Sequence, residues 1–206
     1  MQLGDKPLIV WSVDIVQNVD DICDILVSTD DEEIADISRE AGALVPWLRP
    51  AELSGDTATS VDVAQHALNW YEGEHGKVDG LLLLQPTSPF RTRESVLKGI
   101  ATYQKCGGKP VIGVSPAQSH PMWCFKIDGE GMEPFCDGGG LHLRSQDLPS
   151  AYEVNGGFYL ASPEEIRVRK SFFGEGAVPL IMPQTQERVD IDTEADFLYA
   201  QALLAQ

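Results

Sequence analysis

The chain has 206 residues, of which 43% are hydrophobic and 23% charged, a balance typical of one soluble globular domain with a sizeable core. Its net charge of −17 argues against a nucleic-acid partner, because phosphate backbones are bound by an excess of lysine and arginine. With no apolar run near the ~20 residues of a membrane span, no visible signal peptide and no Cys-x-x-Cys pair, we expect a cytoplasmic protein with reduced thiols and no membrane partner.

The first half of the chain alternates predicted strands and helices. A helix is expected to begin at Pro7, although the β-branched residues after it would also suit a strand. The elements that follow are predicted as a strand at 24–28, a helix at 32–40, a short strand at 43–45, a helix at 60–71, a strand at 80–84, a helix at 93–105 and a strand at 109–115. This alternation predicts a parallel, doubly wound α/β sheet.

Four consecutive leucines run from Leu81 to Leu84. Because a half-exposed strand would alternate with polar residues, this run predicts a short strand buried on both faces, as in the centre of a parallel sheet. Gln85 and Arg91 lie in the loop that follows, and ligands of open α/β sheets collect just beyond the carboxyl ends of such strands. The alternative is a polar connection before a helix that Thr92 caps, and the pattern leaves both interpretations open.

The second half of the chain has a different pattern. A predicted turn at 128–131 joins two short strands in a hairpin within 123–135. The remaining predicted elements are a strand at 152–160, a short helix from Pro163, a strand at 177–182 and a C-terminal helix at 194–204.

Asp190 and Asp192 flank Ile191 at a spacing of two, so both carboxylates face the same way in extended backbone. Paired carboxylates at the end of a strand suit Mg²⁺, which binds through one or two acids and keeps waters and substrate phosphates. The alternative is structural, because Thr193 and Asp196 form an acidic variant of the capping box at the start of a helix.

Two arginines and one asparagine are further candidates. Arg49 and Arg144 lie in loops expected on the ligand side, where an arginine can clamp a phosphate or a carboxylate, although a surface arginine without a partner is the commoner case. Asn155 precedes two glycines, which let the backbone approach a ligand closely or form a bulge in the strand.

Seven segments in order make the chain resemble the acylneuraminate cytidylyltransferases (CMP-sialic acid synthetases) over essentially all its length. Any one segment is weakly specific, and their order makes the match strong. The segments lie at 3–9, 27–35, 49–56, 85–91, 144–149, 152–157 and 189–193.

The resemblance implies an α/β fold of the nucleotide-diphosphosugar-transferase type, with three layers and a mostly parallel central sheet, in one domain over 1–206. It also implies that the anomeric hydroxyl of a nonulosonic acid attacks the α-phosphate of CTP, which gives a CMP-sugar and pyrophosphate, with Mg²⁺ offsetting phosphate charge. The segment at about 115–150 resembles the family's β-rich dimerisation arm, which implies a homodimer with sites near the interface.

The resemblance also implies roles for individual residues. Arg144, Asp190 and Asp192 are the implied catalytic residues, with the two aspartates as metal ligands and Arg144 meeting the substrate carboxylate. The implied substrate contacts are Arg49 and Ser60 for the nucleotide, and Gln85, Asn155 and Tyr159 for the sugar acid. Asn155 with its two glycines fits N-acetylneuraminic or legionaminic acid better than pseudaminic acid.

One departure from the family stands out. Family members begin with a buried strand and a loop rich in Gly, Ser, Arg and Lys that cradles the CTP phosphates, and Met1 stands almost where that loop should end. We therefore expect either a chain shortened at its start or a product that keeps the fold and has lost most activity. A non-catalytic homologue or dimer subunit with residual nucleotide or sugar binding is the alternative, and a sugar-1-phosphate nucleotidyltransferase is a third option.

Overall fold

The computed structural model of the chain describes residues 1–55 and 57–205. Its α-helices are α1 (Leu8–Asp14), α2 (Glu32–Glu40), α3 (Ser60–His75), α4 (Arg93–Lys105) and α5 (Glu194–Leu204). Its strands are β1 (Gln2–Leu3), β2 (Lys6–Pro7), β3 (Leu81–Leu83), β4 (Val111–Pro116), β5 (Phe125–Asp128), β6 (Gly131–Pro134), β7 (Tyr152–Ala161) and β8 (Val178–Ile181). No helix in the described ranges is long and apolar enough to cross a membrane.

A four-stranded sheet in the order β3-β7-β4-β8 forms the centre of the fold. β7 pairs antiparallel with β3 on one side and with β4 on the other, while β4 and β8 pair in parallel. Three strands therefore run in one direction, and the long strand β7 runs against them. The α/β class is confirmed, and the sheet is mixed because β7 separates two strands that the sequence pattern predicts as parallel neighbours.

Helices cover both faces of this sheet. On one face, α4 packs Val96 and Ile100 against Phe158 of β7, and on the other face α3 packs Ala64 and Leu68 near Ala161. The helix α4 lies so close to the sheet that a Cβ on its Gly99 would come 2.3 Å from Cζ of Phe158. The predicted three-layer arrangement follows from this alternation of side chains along β7.

The leucine strand is not central in the sheet. It forms the predicted strand β3, but β3 is the end strand of the four, and Leu81 to Leu84 are only half-buried. The prediction of burial on both faces is therefore wrong in this structure. The physical reason is that β3 has a strand neighbour on one side and a cavity on the other.

The predicted strand at 24–28 is reduced to extended backbone. A single parallel bridge joins Leu26 to Leu44, in which the Val27 N–H donates to the Leu44 carbonyl and the Leu44 N–H donates to the Ile25 carbonyl. This one-sided pairing is too short to make a regular strand of 24–28 or of 43–45. The backbone is nonetheless extended there, as the sequence predicts.

The other predicted elements are present with small shifts. The hairpin consists of β5 and β6, whose strands pair from Phe125 opposite Pro134 to Asp128 opposite Gly131. The short helix after Pro163 is a single π-helical turn, Glu165–Arg169. The helix α3 extends four residues beyond the predicted Tyr71, to His75.

Candidate active site

Three polar oxygen atoms from two separate parts of the chain converge on Gly156 of β7. A Cβ on this glycine would lie 3.0 Å from Ser88 Oγ, 3.2 Å from Asp190 Oδ2 and 3.3 Å from Gln85 Oε1. Gly156 also has a φ of +73°, which glycine adopts without steric cost. The glycine thus leaves a small polar hollow at the end of the sheet, between the loop after β3 and the segment before α5.

The loop after β3 is bonded to the aspartate segment. The Ile191 N–H donates to the Thr87 carbonyl at 2.8 Å, and Ser88 Oγ donates to Asp190 Oδ1 at 3.4 Å. Ile191 is buried in an apolar cluster with Leu3. Because Ile191 is held on both its backbone and its side chain, Asp190 is fixed beside the loop.

Arg91 is a buried cation behind this hollow, 3% exposed. Its Nε donates to the Gly157 carbonyl at 2.8 Å, its Nη1 donates to Ser12 Oγ at 2.8 Å, and its Nη2 donates to the Gln85 carbonyl. Burial lowers the pKa of Arg91 to about 10, and the Asp190 carboxylate opposes that shift. The guanidinium therefore stays charged at neutral pH and holds three segments in register.

Gln85, a predicted contact to the sugar acid, lies at the end of the sheet, where a ligand site is expected. Its carbonyl is held by Arg91 and accepts from the Ser88 N–H at 3.2 Å, which leaves its side chain beside Gly156. The amide also lines a large cavity on the other side of β3.

Tyr159 lies on the same strand as Gly156, and its ring packs in the core. The ring centroids of Phe172 and Phe173 lie 5.7 and 6.0 Å from its own. Burial raises the pKa of the Tyr159 phenol, and the Asp190 carboxylate raises it further. The phenol is thus within electrostatic range of the polar hollow.

Asn155 is buried, and its amide is turned into the protein. Its Nδ2 donates to Ser115 Oγ at 3.0 Å and lies 3.2 Å from Met182 Sδ, while its Oδ1 accepts from the Gly157 N–H at 3.1 Å. These bonds shape the backbone around Gly156. The contact of Asn155 with a sugar acid stays a prediction.

Arg49 and Ser60 lie at one end of the cavity that Gln85 also lines, and this cavity has a volume of about 670 Å³. Arg49 donates to Asp30 Oδ1 at 3.0 Å and to Ser54 Oγ at 3.2 Å. Ser60 is the first residue of α3, directly after the cap Thr59. Asp56, the last residue of the sequence segment that begins at Arg49, lies outside the described residues.

Arg144 lies in the arm, away from the hydrogen bonds that join the other candidates. Its side chain is 73% exposed and donates from Nε to Asp147 Oδ2 at 2.8 Å. Within the described part of the chain, no hydrogen bond joins it to Gln85 or Asp190. The single chain does not bring it into the polar hollow.

Residues 1–116 match the family model described as Cytidylyltransferase, and this range is more than half of the chain. The chain belongs to this cytidylyltransferase family. It is 36% identical over 208 residues to the CMP-N,N'-diacetyllegionaminic acid synthase of Legionella pneumophila, covering 98% of this chain and 87% of the relative. It is 32% identical over 199 residues to an N-acylneuraminate cytidylyltransferase of Streptococcus agalactiae, covering 96% of this chain and 47% of that relative.

The fold of this chain is also similar to that of a solved structure. The solved structure of a CMP:2-keto-3-deoxy-manno-octonic acid synthetase complexed with CTP superposes with a TM-score of 0.70, covering 100% of this chain and 90% of that one. Sequence identity between the two is 14%, so the likeness concerns the fold. The predicted nucleotidyltransferase type of fold is therefore confirmed, while the family model and the two relatives confirm the predicted enzyme class.

The donor set of this cytidylyltransferase suits a magnesium ion that a substrate helps to bind. Asp190 is half-buried and Asp192 is exposed, on either side of buried Ile191. The described residues contain no cluster of three or more His, Cys, Asp or Glu side chains that could hold a metal ion. Mg²⁺ commonly binds through one or two carboxylates and completes its shell with waters and substrate phosphates. The two aspartates fit that mode.

The capping interpretation of this segment is also correct, but it involves other atoms. Thr193 Oγ1 accepts from the Asp196 N–H, and Asp196 Oδ2 accepts from the Thr193 N–H at 2.8 Å, which completes a capping box for α5. The Asp190 and Asp192 carboxylates are not used in this cap. The capping residues Thr193 and Asp196 therefore follow the proposed metal ligands in the chain, and the cap leaves the Asp190 and Asp192 carboxylates available.

Sequence reasoning missed two buried residues that build the site. The sequence leaves Arg91 undecided between site and structure and assigns no role to Glu187. Glu187 is 1% exposed, and its Oε1 accepts from the Thr92 N–H at 3.0 Å and from Ser95 Oγ at 2.6 Å, so it caps α4. Nothing in the local sequence around Glu187 signals this, because its partners lie far away in the chain.

Proposed function

We propose that this cytidylyltransferase transfers CMP from CTP to a nonulosonic acid of the sialic or legionaminic type. The observation that carries the proposal is the convergence of Gln85, Ser88 and Asp190 on Gly156. This hollow lies where the loop after β3 meets the acidic segment before α5, at the position expected for ligands of open α/β sheets. The names of the Legionella pneumophila and Streptococcus agalactiae relatives support the sugar class.

The reaction joins the anomeric oxygen of the sugar acid to the α-phosphorus of CTP. The bond between that phosphorus and the oxygen bridging to the β-phosphate breaks, pyrophosphate leaves, and the hydroxyl proton passes to solvent or a nearby base. Asp190 and Asp192 would hold Mg²⁺, which would offset negative charge on the phosphates when bound. The protein's own contribution is mainly to position the two substrates.

We assign the substrate contacts by position. Arg49 and Ser60 are proposed to contact the nucleotide at their end of the cavity, and Gln85 and Tyr159 to face the sugar acid. Tyr159 would supply its hydroxyl within electrostatic range of Asp190, since its ring is held by the core. Asn155 would contact the sugar acid only if its amide released Ser115, and in this structure it shapes the floor of the hollow.

A homodimer is proposed from the arm at about 115–150. Ile127, Met132 and Phe135 of its hairpin are 71%, 60% and 59% exposed, which is unusual for large apolar side chains so close together. A second copy would cover them. We propose that Arg144, on the same arm, meets the substrate carboxylate near that interface.

The protein is further proposed to work in the cytoplasm. The four cysteines, Cys23, Cys106, Cys124 and Cys136, are all free in this structure. Free thiols persist in a reducing compartment.

Pyrophosphate release with CTP and a panel of nonulosonic acids tests the activity, with the CMP-sugar identified by mass. Turnover with CTP is expected to exceed turnover with ATP, GTP or UTP. The Asp190→Asn variant should lose pyrophosphate release with CTP. The Glu194→Gln variant, which removes a nearby exposed carboxylate of α5, should keep it. No CMP-sugar with any acid of the panel would overturn the proposal.

One observation favours the alternative, a non-catalytic homologue with residual binding. Within the described residues, Arg49 is the one cation that lines the large cavity, and it already pairs with Asp30. A triphosphate needs more positive charge or more N–H donors than this. CMP binding that does not depend on Mg²⁺, without turnover, would support the alternative.

A further inference from the structure

The carboxylate of Glu187 is buried at the start of α4 and accepts three hydrogen bonds there. Its Oε1 accepts from the Thr92 N–H at 3.0 Å, from Thr92 Oγ1 at 2.9 Å and from Ser95 Oγ at 2.6 Å. Glu187 is only 1% exposed, and removal of a buried charged acceptor leaves its donors unpaired. The carboxylate therefore ties the segment before α5 firmly to the start of α4.

Two other helices of this chain have the same kind of carboxylate, but it comes from within the helix. At α3 and α5 a threonine is the cap, and the third residue of the helix is an aspartate that completes a capping box. Asp62 Oδ2 accepts from the Thr59 N–H at 3.2 Å and from Thr59 Oγ1 at 2.6 Å. Asp196 Oδ2 accepts from the same groups of Thr193 at 2.8 and 2.7 Å.

The helix α4 differs from these two because its third residue is Ser95, which has no carboxylate. Thr92 still caps the helix, since its Oγ1 accepts from the Ser95 N–H at 3.1 Å. The carboxylate that completes the box comes instead from Glu187, three residues before Asp190. A local acid at the third position would stabilise α4 equally well, so the stability of this helix alone does not require an acceptor from a distant segment.

A second tie joins the same two segments at their other ends. The Ile191 N–H donates to the Thr87 carbonyl at 2.8 Å. The loop 87–92 and the segment 187–191 are thus bonded at both ends. Asp190 lies between the two ties, with Ser88 Oγ 3.4 Å from its Oδ1. A movement of Asp190 away from the loop would have to break one of the ties.

We propose that Glu187 is a positioning residue for Asp190. The helix α4 packs Val96 and Ile100 into the core, so the bonds of Glu187 at its start fix the segment 187–191 relative to the sheet. The Asp190 carboxylate is thereby held beside the loop after β3. The consequence for activity rests on the proposed function, in which Asp190 is a metal ligand, whereas the effect on the position of the segment does not.

Hydrogen exchange at the Ile191 amide tests the proposal without any substrate. Glu187→Ala removes the tie at α4, and exchange at Ile191 should become at least about tenfold faster, because bonds to a buried charged group are lost and the segment opens more often. Unchanged exchange at Ile191 in this variant would overturn the proposal.

Glu72→Ala is the matched control for the loss of a buried carboxylate. The Glu72 side chain is 15% exposed and accepts hydrogen bonds from the Val78 N–H and from Arg167, at the C-terminal part of α3. This variant should leave exchange at Ile191 unchanged. Equally fast exchange at Ile191 in both variants would mean a general loss of stability, and would also overturn the proposal.

A double variant separates positioning from capping. Glu187→Ala with Ser95→Asp supplies the missing carboxylate from within α4 and copies the boxes of α3 and α5. Exchange at the Val96 amide, which donates to the Thr92 carbonyl, should return to the wild-type rate. Exchange at Ile191 should stay fast, because the restored box no longer reaches the segment 187–191. A return of Ile191 to the wild-type rate would mean that Glu187 only caps α4.

Binding of Mn²⁺ in the presence of CTP, followed by electron paramagnetic resonance, tests the consequence for the proposed metal pair. Glu187→Ala and the double variant should each bind Mn²⁺ about tenfold more weakly than the wild type, the loss typical when a residue that orients a metal ligand is removed. Glu72→Ala should bind it as the wild type does. Equal Mn²⁺ binding by the wild type and Glu187→Ala would overturn the positioning role, whereas a chain that makes no CMP-sugar would overturn the proposed function and leave the exchange result at Ile191 standing.

Discussion

Ser88 Oγ lies 3.4 Å from Asp190 Oδ1, although the two residues are 102 positions apart. The contact joins the loop after β3 to the acidic segment before α5, and both flank Gly156. In this cytidylyltransferase, the proposed sugar side and the proposed metal side of the site are therefore one hydrogen-bonded unit.

Asp190→Asn and Asp192→Asn are each expected to lower kcat by about 10²–10³-fold, the typical loss when one group that stabilises transition-state charge is removed. Raising the Mg²⁺ concentration should recover part of the activity if the two carboxylates share the ion. Steady-state pyrophosphate release measures this. The exposed Glu194→Gln is the control, and a similar loss there would point to an effect of net charge.

Gly156→Ala is expected to destabilise the fold by more than about 1 kcal/mol, because alanine is strained at positive φ, and to reduce activity beyond that. Gly129→Ala in the hairpin turn is the matched control, since it has a φ of +58° and open space around its Cα. Urea unfolding should show a lower free energy of unfolding for both variants. Only Gly156→Ala should raise KM, because its methyl group fills the polar hollow.

Arg91→Lys is expected to lower the free energy of unfolding by at least about 1.5 kcal/mol, because an ammonium group cannot replace all three donors of the buried guanidinium. The change should appear in urea unfolding as a lower midpoint with an unchanged slope. Arg169→Lys, at a half-exposed ion pair with Glu165, should shift the midpoint little. Equal effects of the two substitutions would mean that Arg91 is not a support of the site.

The cap of α5 predicts that the stability of the fold depends on pH. Hydrogen bonds from the Thr193 side chain and from its backbone N–H lower the pKa of Asp196 below its usual 3.8. Because the folded-state pKa is depressed, the stabilisation is complete above pH 3.8 and is lost as pH falls through the folded-state value. The wild type should thus be more stable than Asp196→Asn at neutral pH, and thermal unfolding of the two should converge in acid.

The arm predicts an assembly. Ile127→Ser should weaken a homodimer at least tenfold in sedimentation experiments, because it removes a large apolar side chain that a second copy would cover. The monomer should keep its circular dichroism spectrum, since Ile127 lies outside the core. Val168→Ser, equally apolar and 73% exposed but outside the arm, is the control and should leave self-association unchanged.

The starts of α3, α4 and α5 are predictable because their signals are local. Thr59 with Asp62 and Thr193 with Asp196 make complete capping boxes, and Thr92 caps α4 as its sequence indicates. A cap needs only residues within one turn of each other. The candidate aspartates were also predictable, since a spacing of two in extended backbone fixes their common direction.

The strand order and the buried supports were not predictable from pattern. β7 lies between β3 and β4 because of long-range pairing, and an apolar run such as the leucines does not specify its neighbours. Glu187 caps a helix whose first turn is 92 positions away from it. The sequence places Asn155 correctly in β7. It does not show that the Asn155 amide turns into the protein, because that orientation depends on a hydrogen bond to the distant Ser115.

The position of β7 has a consequence for synthesis of the chain. Leu160 stands opposite Leu82 of β3 and opposite Val111 of β4, so neither strand has its central neighbour until the ribosome has released residue 160. Until then the leucines remain exposed, and such long-range pairing slows folding and favours aggregation. Nascent chains that stop after α4 or β4 should therefore be insoluble and depend on chaperones, whereas chains that extend beyond β8 should fold.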